Sequence, residues 1–208
     1  SVDWNEVEDG RINSRGTARQ LEIWTVVGRN HRIARPNRPR NSLFVISDKG
    51  KLITSYDKRY CSHSDITDWY SAGHHANIFS IDGFRIDCAL CIEIQLPEVF
   101  RQYEQLDVDC VVFSAFCDDP MFWTQARGDS GTNNLWGSVT TPAQFGTAVQ
   151  SGLIGPHGYS LARCEAKMTA QLLRVELDKK SPDLHVALTK ARPWRCKARS
   201  RDIYKTDP

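Results

Sequence analysis

The sequence predicts an α/β protein, and three stretches carry that reading. The first runs from Ile81 to Arg101, IDGFRIDCALCIEIQLPEVFR. Phe84, Ile86, Cys88 and Leu90 alternate with Arg85, Asp87 and Ala89, the period of a β-strand, and the alternation stops at Cys91. Pro97 and Glu98 suit the first turn of a helix, where a missing N–H costs nothing and a carboxylate meets the positive dipole end. Val99, Phe100, Tyr103 and Leu106 follow at helical spacing. The second stretch, Asp109 to Ser114, is a short apolar run that reads as a buried strand. Strand, helix, strand is a βαβ unit, right-handed in nearly all cases, with functional residues gathered at the carboxyl ends of its strands. The third is a hairpin, Ser42–Ser47 and Lys51–Tyr56, around Asp48-Lys49-Gly50, with glycine where a positive φ is needed.

The remaining elements follow in order. Residues 3–22 predict a helix with Val7, Ile12, Ala18 and Leu21 at loose helical spacing, weakened by Gly10 and Gly16. Residues 23–28 are a continuous apolar run closed by glycine, a buried strand. Residues 29–40 hold five arginines and two prolines and read as a solvated loop. Residues 61–75 form a long polar loop with Trp69, Tyr70 and Gly73, a length that is often functional inside a compact domain. Residues 77–81 are a strand, and Asp82-Gly83 a tight turn into the Cys91 strand. A helix over 122–134, a strand over 135–141, a strand with a Pro-x-Gly turn over 151–158, its return over 159–164 and a last strand over 171–177 complete the pattern. Residues 179–208 are basic and irregular and read as a C-terminal tail carrying Trp194.

Composition narrows the function. The chain has 208 residues, 40% hydrophobic and 25% charged, an ordinary globular balance long enough for one domain, 1–208, with a substantial core. A net charge of +2 is too small a field to imply nucleic acid or an anionic membrane surface as partner. No apolar run approaches the roughly 20 residues of a membrane helix, and no charged-then-apolar start resembles a signal peptide. The seven cysteines are odd in number and several fall in strands, which argues against a disulfide framework and for a reducing, cytoplasmic setting.

Cys91 is the focus of the chemistry. A cysteine in an apolar strand is ordinarily an inert small hydrophobe. A thiol at a strand-to-helix elbow can instead be held exposed, close to backbone N–H groups, where a nucleophile is useful. Cys88-x-x-Cys91 also has the spacing of a redox pair or half a zinc site. A redox pair normally opens a helix, whereas Cys88 lies inside the strand pattern. Zinc would need a second pair of ligands, and His74-His75, adjacent on the chain, would point to opposite faces of a strand. No metal site is expected.

Four pieces in this order resemble the carbon–nitrogen hydrolase (nitrilase) superfamily. Asn41-Ser42 through Gly50 to Tyr56-Asp57-Lys58 is similar to its run of Asn-Ser, strand, turn and strand into Tyr-x-Lys. Tyr70-Ser71-Ala72-Gly73 resembles Tyr-Thr-Pro-Gly. Cys91-Ile92-Glu93-Ile94-Gln95-Leu96-Pro97-Glu98 resembles Cys-Tyr-Asp/Glu-x-Arg-Phe-Pro-Glu. Gly152 to Gly158 is similar to the strand and Asp-Pro-x-Gly turn late in the family domain. Arg201-Asp202-x-Tyr204 resembles a common ending. The likeness spans residues 20–204.

The resemblance implies a four-layer α-β-β-α sandwich and a Glu-Lys-Cys triad without cofactor. Cys91 would be the nucleophile, Lys58 the triad lysine, the Ile92 backbone N–H an oxyanion donor, and Asp65, or else Asp68, the counterpart of a second family carboxylate that meets substrate. The expected reaction is hydrolysis of a non-peptide amide or N-carbamoyl bond of a small molecule through a cysteine thioester. The nitrilase branch usually has Trp after the cysteine, where this chain has Ile92. The family's general-base glutamate belongs to a Phe-Pro-Glu type motif before the first helix, and this sequence holds no match. The expectation is therefore a sandwich lacking its first strands in an N-terminally incomplete chain. The alternative is a non-catalytic nitrilase-like binding or assembly module. A homodimer, with Trp194 at its contact, is also implied.

Overall fold

The structure is a computed structural model and describes residues 3–204. The chain forms a mixed α/β fold with two sheets and divides into two compact units, Ser1–Phe79 and Ser80–Pro208.

In the first unit, helix α1 (Trp4–Leu21) is started by Asp3, whose carboxylate accepts from the N–H groups of Asn5 and Glu6. It ends at Glu22 in the left-handed conformation. Three antiparallel strands follow, β1 (Thr25–His31), β2 (Arg40–Ile46) and β3 (Leu52–Asp57). The central strand β2 buries Leu43, Phe44, Val45 and Ile46, on both of its faces. Strand β1 reaches beyond the expected Gly28, because Arg29, Asn30 and His31 pair with Ser42, Asn41 and Arg40. Charge marked these residues as loop, but pairing with a neighbouring strand outweighs local composition. Gly50, at φ +70, turns β2 into β3, and its carbonyl accepts from Arg15 Nε of α1. The polar loop after β3 contains a π-helical turn, Asp65–Trp69.

In the second unit, six strands line up in chain order: β4 (Phe79–Ile81), β5 (Phe84–Leu90), β6 (Cys110–Ser114), β7 (Trp136–Thr140), β8 (Gly152–Ile154) and β9 (Ser160–Arg163). Strands β5, β6 and β7 are parallel and β7 to β9 antiparallel. Helix α2 (Pro97–Gln105) crosses from β5 to β6, and α3 (Met121–Asn133) from β6 to β7. The expected βαβ unit is present. Strand β5 is buried on both faces beyond Arg85, including Asp87, as suits a strand inside a parallel sheet. Gly158, at φ +81, closes the β8–β9 turn.

Two expectations fail in this unit. Residues 171–177 keep the alternation of a strand, with Leu173, Val175 and Leu177 half-buried over a groove and Leu172 96% exposed. They pair with no strand among the described residues. Alternation records which side chains face the protein and says nothing of a backbone partner. The basic tail is not irregular. After an extended stretch it turns helical at Pro182–Leu184 and Val186–Ala191 and then forms α4 (Arg192–Ser200). Pro193 sits in the first turn, where proline is tolerated. Arg192, Arg195 and Arg199 share one face and bond Asp107 and Asp109, Asn134, and Glu104 and Asn133, respectively. The excess of basic residues, read as loop composition, is a docking face.

No helix among the described residues is long and apolar enough to cross a membrane.

Candidate active site

The two sequence-predicted catalytic side chains fall in different units, and each is held in its own way. In the first unit, Lys58 follows the last residue of β3. Its N–H donates to Asn41 O at 2.8 Å and its carbonyl accepts from Gly73 N–H at 2.7 Å. Gly73 is obligatory: a β-carbon there would stand 2.2 Å from the Asp57 carbonyl oxygen. Two of the sequence motifs, Asn41-Ser42 and Tyr70 to Gly73, are thus the two sides of a clamp on the Lys58 backbone. The Lys58 residue is only 2% exposed, and Nζ donates to Asp65 Oδ2 at 2.5 Å. Asp65 opens the π-helical turn and also accepts from Ser62 N–H, while Ser62 Oγ accepts from Asp65 N–H. Burial alone would push the Asp65 carboxyl up, but the Lys58 bond and charge, with the Ser62 bonds, hold it below the usual carboxylate range. The Asp65 carboxyl is therefore charged at neutral pH. The Tyr70 hydroxyl is pushed up by burial and by the Asp65 charge.

Behind Lys58 stands a residue that sequence reasoning did not single out. Asp57 accepts from Ser42 Oγ at 2.6 Å and from Arg40 at 2.8 Å, and its Oδ1 bonds His31 Nδ1 at 2.8 Å. Burial pushes its carboxyl up, and these three bonds more than reverse that, so it too sits below its ordinary range. Ser42 and Asp57 both belong to the motif that runs from Asn41 to Lys58. Nothing in the sequence paired them.

In the second unit, β5 ends at Leu90 and the chain turns sharply. Cys91 has φ +50, in the left-handed region that a residue with a side chain rarely enters. A 3-10 helix, Cys91–Gln95, intervenes before α2, where the sequence suggested an elbow alone. Glu93 is fully buried and its Oε2 accepts from Leu90 N–H at 2.7 Å, tying the turn to the strand it leaves. Cys91 and Ile92 are half-buried. Ile92 N–H lies in the first turn of this short helix, where N–H groups lack intrahelical acceptors. The Tyr103 hydroxyl, from α2, donates to the Cys88 carbonyl in β5.

The other strand cysteines have different surroundings. Cys88 is fully buried, and burial with the nearby Asp87 charge pushes its thiol well above the ordinary range. Cys110 is pushed up to about 12 by burial. Both are protonated at neutral pH and poor nucleophiles. In a redox pair the attacking thiol must be a thiolate, and Cys88 cannot take that part at neutral pH. No cluster of three or more His, Cys, Asp or Glu among the described residues has the arrangement to hold a metal ion.

Lys58 and Asp65, expected on one site, are brought together directly. Cys91 and Ile92 are brought together by the elbow.

No family model matches the chain. Its fold is found in solved amidases of the nitrilase superfamily from Nesterenkonia. A cysteine-to-alanine variant of the Nesterenkonia AN1 amidase aligns with a TM-score of 0.70 at 15% identity, over 80% of this chain and 66% of that one. A glutamate-to-glutamine variant of the Nesterenkonia sp. AN1 amidase, showing covalent addition of the acetamide moiety of fluoroacetamide at its active-site cysteine, aligns at 0.71 with 18% identity, over 80% and 66%. A cysteine-to-alanine variant in complex with butyramide aligns at 0.70 with 15% identity, over 80% and 67%. At these identities the likeness establishes the nitrilase-type fold. The chain spans about two thirds of the length of these neighbours.

Proposed function

We propose that this chain carries the cysteine and lysine of a carbon–nitrogen hydrolase, cleaving a small non-peptide amide or N-carbamoyl bond through a thioester on Cys91. The observation that carries this is the left-handed Cys91 at the mouth of a parallel strand. A non-glycine residue held at positive φ costs on the order of 1–3 kcal/mol, and such strain concentrates at functional positions.

In this reading the Cys91 sulfur attacks the carbonyl carbon, forming a C–S bond and a tetrahedral oxyanion. Ile92 N–H stabilises the negative oxygen, a part the family resemblance also gives to the Lys58 ammonium. Collapse breaks the C–N bond, and the protonated amine leaves. Water then attacks the thioester, releasing the carboxylic acid and the thiol. Asp65 holds the Lys58 ammonium in place and offers an acceptor to the substrate amide. Moving the thiol and water protons requires a general base, worth about 10²–10⁴-fold. The resemblance gives that role to a glutamate for which this sequence has no matching motif. Neighbours bearing amide-derived groups on an active-site cysteine support the class of chemistry. The family resemblance of the sequence implies a homodimer; Trp194 on α4 is 58% exposed and available for such a contact.

The test is brief treatment with sub-stoichiometric iodoacetamide at neutral pH, with the labelled site mapped by mass spectrometry. Selective labelling of Cys91 among the seven cysteines is expected. Cys91→Ala should abolish amide turnover with the fold intact, and Lys58→Met should lower kcat/KM by about 10²-fold or more. Slow, unselective labelling would favour a non-catalytic module of the same fold. Light scattering at micromolar concentration reads the dimer; a monomer there removes it.

A further inference from the structure

Next to Cys91 on the same edge of the second unit's sheet stands an aromatic pair that the reaction above does not use. The register is direct: Leu90 pairs with Ser114, and Ser114 with Thr140. Neighbouring strands are about 5 Å apart. The residues that follow these three therefore leave one edge side by side, Cys91 after β5, Ala115 and Phe116 after β6, Thr141 onward after β7. Ala115 N–H still donates to Thr140 O at 3.0 Å, so the ladder continues one residue past β6 and Phe116 is the first beyond it. Its ring meets that of Phe145 edge to face, centroids 4.9 Å apart at 81°. Phe145 ends the 3-10 turn Ala143–Phe145 after β7, and its carbonyl accepts from Val149 N–H at 2.8 Å. The pair is fixed to the scaffold, yet Phe116 is 69% exposed. Asp118 and Asp119, both exposed, follow on the same loop.

Rigid apolar surface left open beside a candidate nucleophile is what a substrate pocket presents, since such sites are mostly apolar with few polar groups. We propose that Phe116, backed by Phe145, is the wall against which the acyl group of the substrate lies, and that it selects neutral apolar acyl chains over anionic ones. This deepens the hydrolase reading and rests on Cys91 being its nucleophile. Phe116 supplies dispersion contact and removes acyl methylenes from water. Asp118 and Asp119 repel a carboxylate at the far end of the acyl chain.

Acylation can be read without hydrolysis. In p-nitrophenyl acetate, butyrate and hexanoate the Cys91 sulfur forms a C–S bond to the acyl carbon as the C–O bond to p-nitrophenolate breaks. The thiol proton passes to solvent. Rates on Cys91, mapped by mass spectrometry and normalised to glutathione, should rise about tenfold from acetate to hexanoate. The monoanionic p-nitrophenyl glutarate should react more slowly than butyrate. Phe116→Ala should collapse the hexanoate-to-acetate ratio toward one, Phe116→Leu should restore most of it, and Phe145→Ala should lower it partly. Asp118→Asn should narrow the glutarate penalty. A flat chain-length series on Cys91, or an unchanged ratio in Phe116→Ala, overturns the wall while leaving the nucleophile in place. Acylation of other cysteines at the glutathione rate, with Cys91 unlabelled, overturns the nucleophile and the wall with it.

Discussion

Lys58 in the first unit and Cys91 in the second are both held rigidly, by opposite means. The Lys58 end of β3 is fixed by charge. Asp65 grips the ammonium, and Asp57 gathers Ser42, His31 and Arg40 immediately before it. The Cys91 end of β5 is fixed by packing and backbone. The strand is buried on both faces, Glu93 ties Leu90, and Tyr103 reaches across to the Cys88 carbonyl. The difference follows from what each residue must offer. A lysine used as a cation has to stay charged while almost buried, and only partnered carboxylates achieve that. A nucleophile needs an unusual backbone angle instead, and dense packing supplies it. The first anchor should respond to pH, and the Tyr103 bond of the second should not.

The largest effect expected from this contrast is at Asp57. Asp57→Ala leaves Arg40, His31 and Ser42 without their shared acceptor. Hydrogen bonds to charged groups contribute roughly 1.5–3 kcal/mol, and the partly exposed Arg40 and His31 recover some hydration, so a loss of about 2–3 kcal/mol is expected in urea unfolding at pH 7. The Asp57 carboxyl lies below its ordinary range in the fold. Its stabilisation is therefore present above the unfolded value, near 3.9, and is lost as pH falls through the lowered folded value. The gap between wild type and variant should close in strong acid. Hydrogen exchange should quicken in peptides from β2 and β3 and leave β5 and β6 as they were. Equal loosening of β5 and β6, or a gap that persists in strong acid, would break the contrast.

How legible these two anchors were differs as well. The elbow could be read from local sequence, because strand alternation, its end at Cys91 and Pro97-Glu98 are all local signals. So could the βαβ unit. The clamp on Lys58 could be read only as quoted motifs. What joins Asn41, Lys58 and Gly73 is a set of backbone hydrogen bonds between segments far apart in the chain, and no periodicity encodes these. Asp57 was passed over for the same reason. The basic tail misled in the other direction: its charge indicated solvent, and its arginines instead meet Asp107, Asp109 and Glu104 across the fold. Composition reports a side chain's preference, while partners decide where it goes.

A smaller effect sharpens the second half of the contrast. Tyr103→Phe removes the hydroxyl that donates to the Cys88 carbonyl and keeps the buried ring. One neutral hydrogen bond contributes about 1 kcal/mol. The loss should be the same at pH 5 and pH 8, since neither partner titrates in that range. A loss that varies with pH across it would show that charge reaches this anchor as well.

The smallest effect concerns a polar group that breaks the second unit's pattern. Asp129 on α3 is partly buried, and burial alone raises its carboxyl to about 7 from an ordinary 3.8. This is the reverse of Asp57 and Asp65, where partners outweigh burial. A carboxyl raised in the fold binds its proton more tightly there than in the unfolded chain, so any stabilisation it gives is complete below about pH 4 and is lost as pH rises through 7. Above 7 the group is a charge with no compensating partner for its burial among the described residues. Asp129→Asn keeps the shape and removes the charge. Its benefit should be near zero at pH 4, grow between 4 and 7, and level off above. Because the site is partly open to solvent the gain is small, an increase of about 2 °C in Tm at pH 8, the size that somewhat under 1 kcal/mol produces in a chain of this length. Thermal melts at pH 4, 6 and 8 decide it. A gain of equal size at all three would mean that the carboxyl's shape matters and its proton does not, and Asp129 would then join the packed elements around it.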